Sequence, residues 1–255
     1  MKIDFLGAYG GNTDVNNLTS FLVDDCLALD AGCLTHTLTL EKQLGIDNLL
    51  ISHSHLDHTL TLPFLADNIY GSRDTPLYVW TSDIVQEGLK QHIFNEVIWP
   101  DFSKLPSEDK PTITFNILKH ETPVEMAHFK VTAIPVNHLV PSTGFLVESM
   151  KTNDAFIYTS DTCNTDRIWE VANQTDNLKA VIVDCSFPNE MEELAIMSGH
   201  MTPALLGADL VKLKKDCKVL IYHIKPGCGD IMARELDALG DDRLIYNIQG
   251  MSITL

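Results

Sequence analysis

His53-Ser54-His55-Leu56-Asp57-His58 is the stretch that decides how this chain is read. It follows an apolar run at residues 46–52, IDNLLIS, with the length and composition of a strand. Three imidazoles and a carboxylate packed so closely do not make a satisfied core cluster. They would repel, stay neutral or bind a cation. In an extended segment or tight loop, His53 and His55 point one way, while Asp57 and His58 can turn toward a second point. That alternation suits two neighbouring metal ions rather than one. Zinc accepts imidazole nitrogen and carboxylate oxygen, and manganese or iron accept the same donor set.

Outward from that loop, short β-rich runs recur. Residues 3–6, 19–23 and 27–30 predict three strands, the last two joined by a hairpin turn at Asp24-Asp25. Residues 77–80 predict another, with Pro76 at its mouth, where a missing N–H is tolerable. Residues 81–98 predict a helix capped by Thr81 or Ser82, with Ile84, Leu89, Ile93 and Val97 near one stripe. The proline-punctuated segment 99–111 reads as loop. Strands are expected at 112–118, 129–135 and 144–149, and buried-type strands at 155–160 and 180–185. Helices are expected at 164–177 and 188–198. Another runs from 203 to 215, where Thr202 supplies the N-cap and Pro203 the first helical position. A strand at 218–222, a helix over 229–239 and a last strand at 243–248 complete the chain. Strands come first and helices later in each half, with ligand-type residues at strand ends. This predicts an α/β fold of two packed sheets with helices outside.

Composition sets the outer bounds. The 255 residues, 45% of them hydrophobic, supply enough for a large core and exclude a disordered or collagen-like chain. They are expected to form one domain over 1–255. With 18 Lys and Arg against 35 Asp and Glu, the net charge is -17. Long nucleic acid is therefore a poor partner, because phosphate tracking requires a basic stripe. A small anionic substrate is compatible, since a bound metal reverses the local field. No segment has the apolar length of a membrane span, so no membrane partner is expected. The start, MKIDFLGAYGG, lacks the apolar run and cleavage site of a signal peptide, and a cytoplasmic location is expected. Six cysteines without a C-x-x-C pair read as buried thiols of a reducing compartment.

The motif H-x-H-x-D-H resembles the signature of the metallo-β-lactamase fold. Further matches lie downstream: His138 in PVNHLVPSTG, Asp161 in IYTSDT, His200 in SGHMTP and His223 in IYHIKP. The full set resembles the class II cyclic-nucleotide phosphodiesterases, as do the opening LGAYGGNTDVNNLTSFLV and LALDAG. H-x-H-x-D-H alone identifies a fold and a metal site; SGHMTP and HIKP together are far more specific. The resemblance spans residues 3 to 248, without the long insertions of the larger fungal members. It implies a four-layer αββα sandwich and two divalent metal ions, zinc first and manganese or iron next. It assigns His53, His55 and His138 to one metal, Asp57, His58 and His223 to the other, and Asp161 to both, opposite a bridging hydroxide. His200 lies outside that set and is expected to face the phosphate. His200, Asp57 and Asp161 are the expected catalytic groups. The implied activity is hydrolysis of a 3′,5′-cyclic nucleotide, cAMP in particular, to the 5′-monophosphate. A homodimer is the most the resemblance implies about assembly.

Rival readings with the same hydroxide chemistry are a tRNA 3′-processing nuclease and a lactonase or thioesterase. A nuclease of that kind needs a basic clamping arm, and no Lys/Arg-rich insertion stands out. A non-catalytic metal-binding scaffold is the alternative from a different class. Asp30, Thr19, Asn17 and Asp184 read as buried polar residues able to orient ligand histidines. Gly10-Gly11-Asn12 reads as a turn near the substrate, and Phe187, Met191 and Met201 as lining for a base pocket or as ordinary packing. His36, His92, His120 and His128 have no matched context.

Overall fold

The computed structural model describes Met1–Leu255. Two seven-stranded sheets face each other. From edge to edge the first runs Ser252–Thr254, Lys2–Gly7, Ser20–Val23, Leu27–Leu29, Asn48–Leu50, Leu77–Thr81 and Ile113–Ile117. Its first three neighbour pairs are antiparallel and its last three parallel. The second runs Leu244–Ile245, Lys218–Tyr222, Leu178–Asp184, Ala155–Tyr158, Thr143–Ser149, Phe129–Pro135 and Val124–Met126. Here an antiparallel meander turns parallel at Ala155–Tyr158.

Alternation along the strands builds the layers. Phe5, Phe21, Phe129, Phe145, Tyr158 and Tyr222 turn inward and fill the space between the sheets. Residues of opposite parity face outward and pack under helices. Leu62–Ile69 and Asp83–His92 cover the first sheet; Arg167–Gln174, Pro203–Leu210 and Gly229–Asp237 cover the second. The result is the αββα sandwich. Asp24 and Asp25 adopt left-handed φ values of 45° and 58° in the three-residue connection Asp24–Cys26, where Cys26 N–H bonds Val23 O at 3.1 Å and the register closes at Val23 and Leu27.

Several elements differ from the sequence expectation. The helix expected over 81–98 covers only Asp83–His92. Ser82 caps it through Val85 N at 3.3 Å, and Val85 and Leu89 are its buried residues. Ile84 and Val97 are exposed, so the expected stripe is wrong at those two positions; Glu96 at φ 63° turns the chain between them. The helix from Pro203 stops at Leu210, where Lys212 folds back and bonds Asp209 and Asp166. The final strand Ser252–Thr254, which pairs with Lys2–Asp4, has no counterpart in the sequence reading. Nor do Val124–Met126 and the short helices Leu34–Thr37, Leu40–Leu44, Leu56–Thr59 and Leu62–Ile69. No helix is long and apolar enough to cross a membrane.

Candidate metal centre

The parallel strands of both sheets end at one rim, and the polar residues gather there. His53 and His55 follow the Asn48–Leu50 strand, and Asp57 and His58 sit in the short helix Leu56–Thr59. Asp161 follows Ala155–Tyr158, and His223 follows Lys218–Tyr222. His138 comes from the loop after Phe129–Pro135. Backbone strain marks the same rim: Asp30, Ser160 and His223 have φ values of 55°, 57° and 71°. Left-handed φ at residues bearing a Cβ costs on the order of 1 kcal/mol or more each and persists where packing over-determines it. His223 is held in that state by its N–H to Ala8 O at 2.7 Å.

Three overlapping donor groups form around Asp161: His53, His55, His138 and Asp161; Asp57, His58, Asp161 and His223; and Asp161, Asp184, His200 and His223, the last with Asp184 and His200 paired to each other at 2.7 Å. In the first, His53 Nε2 lies 3.1 Å from His55 Nδ1, which lies 3.4 Å from His138 Nε2. In the second, His223 Nε2 lies 3.1 Å from Asp57 Oδ2 and 3.4 Å from His58 Nε2. A tetrahedral ion with bonds of about 2.0–2.1 Å holds its donors about 3.3–3.4 Å apart. Asp161 is decisive. Its Oδ1 accepts from Tyr222 OH at 2.9 Å, whereas the buried Oδ2 has no hydrogen-bond partner. That orphaned oxygen lies 3.7, 3.3 and 3.2 Å from Nε2 of His53, His58 and His223. A buried anionic oxygen with converging imidazole nitrogens and no donor is costly unless cations sit between them. The cluster therefore fits a dinuclear centre.

An outer layer of hydrogen bonds aims these donors. Asp30 Oδ2 accepts from His58 Nδ1 at 2.7 Å, from Ser52 Oγ at 2.8 Å and from Tyr158 OH at 2.6 Å. His138 Nδ1 donates to Gly199 O at 3.0 Å. Gly199 sits at φ 74°, and a Cβ there would lie 2.7 Å from His138 Nδ1, so both conformation and space require glycine. Gly10 is confined similarly, since a Cβ would lie 2.6 Å from the His223 ring.

Without a cation the charges arrange themselves. Burial drives His53 well below the ordinary imidazole value, and burial likewise lowers His55 and His223. These rings are neutral, the form that binds metal. Burial opposes charge on His58 too, but Asp161 and Asp30 outweigh it and hold that imidazole well above its usual value. Burial would raise Asp161; the facing imidazoles of His223 and His58, with His58 carrying the charge, reverse this and hold it well below the carboxylate range.

His200 stands beside this set. Its ring stacks 4.9 Å from His223 and lies 5.2 Å from His138, with Nδ1 2.7 Å from Asp184 Oδ2. Burial alone would lower its pKa, yet Asp184 raises it above the ordinary value. Of the residues expected to orient ligands, Asp30 and Asp184 do so. Thr19 Oγ1 is buried without a partner, and Asn17 Nδ2 donates to Leu6 O, so neither plays that part. Phe187 lies 5.9 Å from His200, whereas Met201 belongs to the core of the second sheet and lines nothing. His120 approaches Thr143 Oγ1 and His128 pairs with Asp24, both outside the cluster. Ser52, Ser186, Tyr158 and Tyr222 were not anticipated. Their only sequence signal is a polar atom at the end of an apolar strand.

Fold and cluster together define a metal-dependent hydrolase of the metallo-β-lactamase fold. The family description "cAMP phosphodiesterases class-II" matches residues 31–228, and the chain belongs to that family. A probable 3′,5′-cyclic-nucleotide phosphodiesterase of Yersinia pestis is 28% identical over 274 aligned residues, covering 87% of this chain and 77% of that protein. The crystal structure of unliganded yeast PDE1 superposes with a TM-score of 0.82 at 20% identity, covering 100% of this chain and 99% of that one. Human tRNase Z, short form, superposes with a TM-score of 0.68 at 15% identity, covering 100% and 99%. At those identities the two structural likenesses speak to the fold.

Proposed function

We propose that this chain, as one phosphodiesterase domain over 1–255, hydrolyses the 3′ ester of 3′,5′-cyclic nucleotides, cAMP first, to nucleoside 5′-monophosphates. The observation that carries the reading is the match to the class II cAMP phosphodiesterases over 31–228. All seven clustered donors and His200 fall inside that span. In this reading His53, His55 and His138 would hold one divalent ion, zinc first, and Asp57, His58 and His223 the other, with Asp161 contributing to both.

Bound there, the two cations supply an activated water and neutralise charge on the phosphoryl oxygens. The remaining work falls to the chain. Tyr222 occupies Asp161 Oδ1 and leaves Oδ2 turned to Nε2 of His53, His58 and His223, where it would be available to the ions. Asp184 occupies His200 Nδ1 and leaves Nε2 as the free nitrogen. Asp184 raises the pKa of His200, which shifts the ring toward the form with a proton on Nε2. That proton can bond a non-bridging phosphoryl oxygen or pass to the departing 3′ oxygen. A cyclic phosphodiester needs no groove for a polymer, which accords with a net charge of -17.

The test is a substrate panel on metal-replete protein: cAMP, cGMP, bis(4-nitrophenyl) phosphate, a precursor tRNA and an acyl lactone. Preference for the cyclic nucleotides supports the reading. Preference for precursor tRNA or the lactone replaces it with the nuclease or lactonase alternative.

A further inference from the structure

Two buried carboxylates at the rim are wired alike. Asp30, after a strand of the first sheet, and Asp184, at the end of a strand of the second, are both 0% exposed. Each holds one histidine directly and a second through a serine. For Asp30 the direct partner is His58, and Ser52 Oγ links it to His53 Nδ1 at 3.0 Å. For Asp184 the direct partner is His200 at 2.7 Å. Ser186 Oγ donates to Asp184 Oδ1 at 2.6 Å and lies 2.9 Å from His223 Nδ1. Thr162 N–H also donates to Asp184 Oδ2, at 3.1 Å.

The protons can be counted. A carboxylate only accepts, and a serine has one hydrogen to give. Ser52 and Ser186 both spend that hydrogen on a carboxylate. Each serine oxygen must therefore accept from its histidine, which places a proton on Nδ1 of His53 and of His223. His58 and His200 donate from Nδ1 directly. All four rings thus carry Nδ1–H and turn Nε2 inward. Three of them belong to the first two donor groups; His200 is held by the same device but enters only the third, where Asp184 takes its Nδ1.

We propose that Asp184, acting partly through Ser186, is a positioning residue that sets two functions at once. One arm fixes the tautomer and aim of His223 toward its metal; the other fixes Nε2 of His200 toward the substrate. The second arm rests on the role given to His200 above, while the first does not. Loss of Ser186 therefore separates them. Ser186→Ala removes the acceptor of His223 Nδ1 and leaves the Asp184–His200 contact in place. Asp184→Asn disturbs both arms, because an amide offers one accepting oxygen where two are used.

The experiment measures Zn²⁺ affinity by chelator competition, and the ratio of kcat for cAMP to kcat for bis(4-nitrophenyl) phosphate. Loss of a residue that orients a metal ligand typically costs about 10–100-fold in metal affinity. Ser186→Ala should lower zinc affinity by that factor and leave the ratio at its wild-type value, and Ser186→Thr should restore affinity. Asp184→Asn should lower affinity similarly and, at saturating zinc, also lower kcat for cAMP by about tenfold or more, with the ratio falling if His200 acts as the acid and holding if it acts as the donor. Wild-type zinc affinity in Ser186→Ala overturns the serine arm. Wild-type kcat on both substrates at saturating zinc in Asp184→Asn overturns the His200 arm. ¹⁵N-histidine NMR of the wild-type zinc protein decides the same question should Asp184→Asn not fold. It should show protonated Nδ1 on both His200 and His223, and an unprotonated Nδ1 on either overturns the assignment. Should cAMP not be a substrate, the zinc and NMR readouts still judge the His223 arm.

Discussion

Replacing His200 by alanine separates metal binding from metal use. His200 Nδ1 meets Asp184, and the ring belongs to neither of the two donor groups assigned to the metals, although it stands with Asp161, Asp184 and His223 in a third. Removing it should leave metal content near wild type. Asp184 keeps bonds from Thr162 N and Ser186 Oγ, so it is not stranded. An unmade buried hydrogen bond costs about 1–3 kcal/mol, and the lower end applies here. In a chain of this size that corresponds to about 2–4 °C in Tm. The catalytic loss should be far larger. A positioned acid or base contributes about 10²- to 10⁴-fold, or roughly 3–5 kcal/mol of barrier, so kcat for cAMP should fall by that factor. The assay compares cAMP with bis(4-nitrophenyl) phosphate, whose 4-nitrophenolate needs little protonation on leaving. A much smaller loss on the second substrate identifies His200 as the acid; an equal loss identifies it as a donor to the phosphoryl oxygens. Unchanged cAMP turnover with both metals present refutes the reasoning, and loss of one metal equivalent shows His200 to be a ligand.

Asp161→Ala should lower turnover by orders of magnitude and weaken at least one metal, because it deletes the oxygen common to both donor groups; two tightly held metals and full activity would contradict this. Gly199→Ala should weaken metal at the His53–His55–His138 group, since the new Cβ would meet His138 Nδ1 at 2.7 Å, and a metal titration indistinguishable from wild type would count against it. His58 bears on pH. Its folded pKa is raised above the ordinary value of about 6.5, so its contribution to metal-free stability is full below that pH and is lost as pH rises through the folded value. Metal must displace that proton. Calorimetry at neutral pH in buffers of different ionisation enthalpy should therefore detect about one proton released per chain, and none released would refute the charge assignment.

Four of the donors are legible locally because they stand together in residues 53–58, and Asp161 ends an apolar strand; His138 and His223 are weak alone and rest on the resemblance carried by PVNHLVPSTG and IYHIKP. The layer behind the donors is not legible. Ser52 and Ser186 become links only when strand ends from each sheet bring a carboxylate and an imidazole to either side. Tyr158 and Tyr222 read as core aromatics until their hydroxyls meet Asp30 and Asp161. Met201, open in the sequence between pocket lining and ordinary packing, packs into the core of the second sheet. Among the elements, Ser252–Thr254 was invisible because its partner, Lys2–Asp4, lies at the other end of the chain. The helix ending at His92 was overextended because apolar residues at 93, 97 and 98 continue a rough periodicity past the turn at Glu96.

The proposed reaction is the opening of a cyclic nucleotide's 3′ ester by two metals held at this rim. Its most direct test is product analysis of cAMP incubated with the zinc-loaded protein, the chelated protein and the chelated protein resupplied with zinc. The prediction is 5′-AMP as the product, absent after chelation, restored with zinc, and reaching full rate at two equivalents per chain. Formation of 3′-AMP, turnover that survives chelation, or full activity at one equivalent would contradict it.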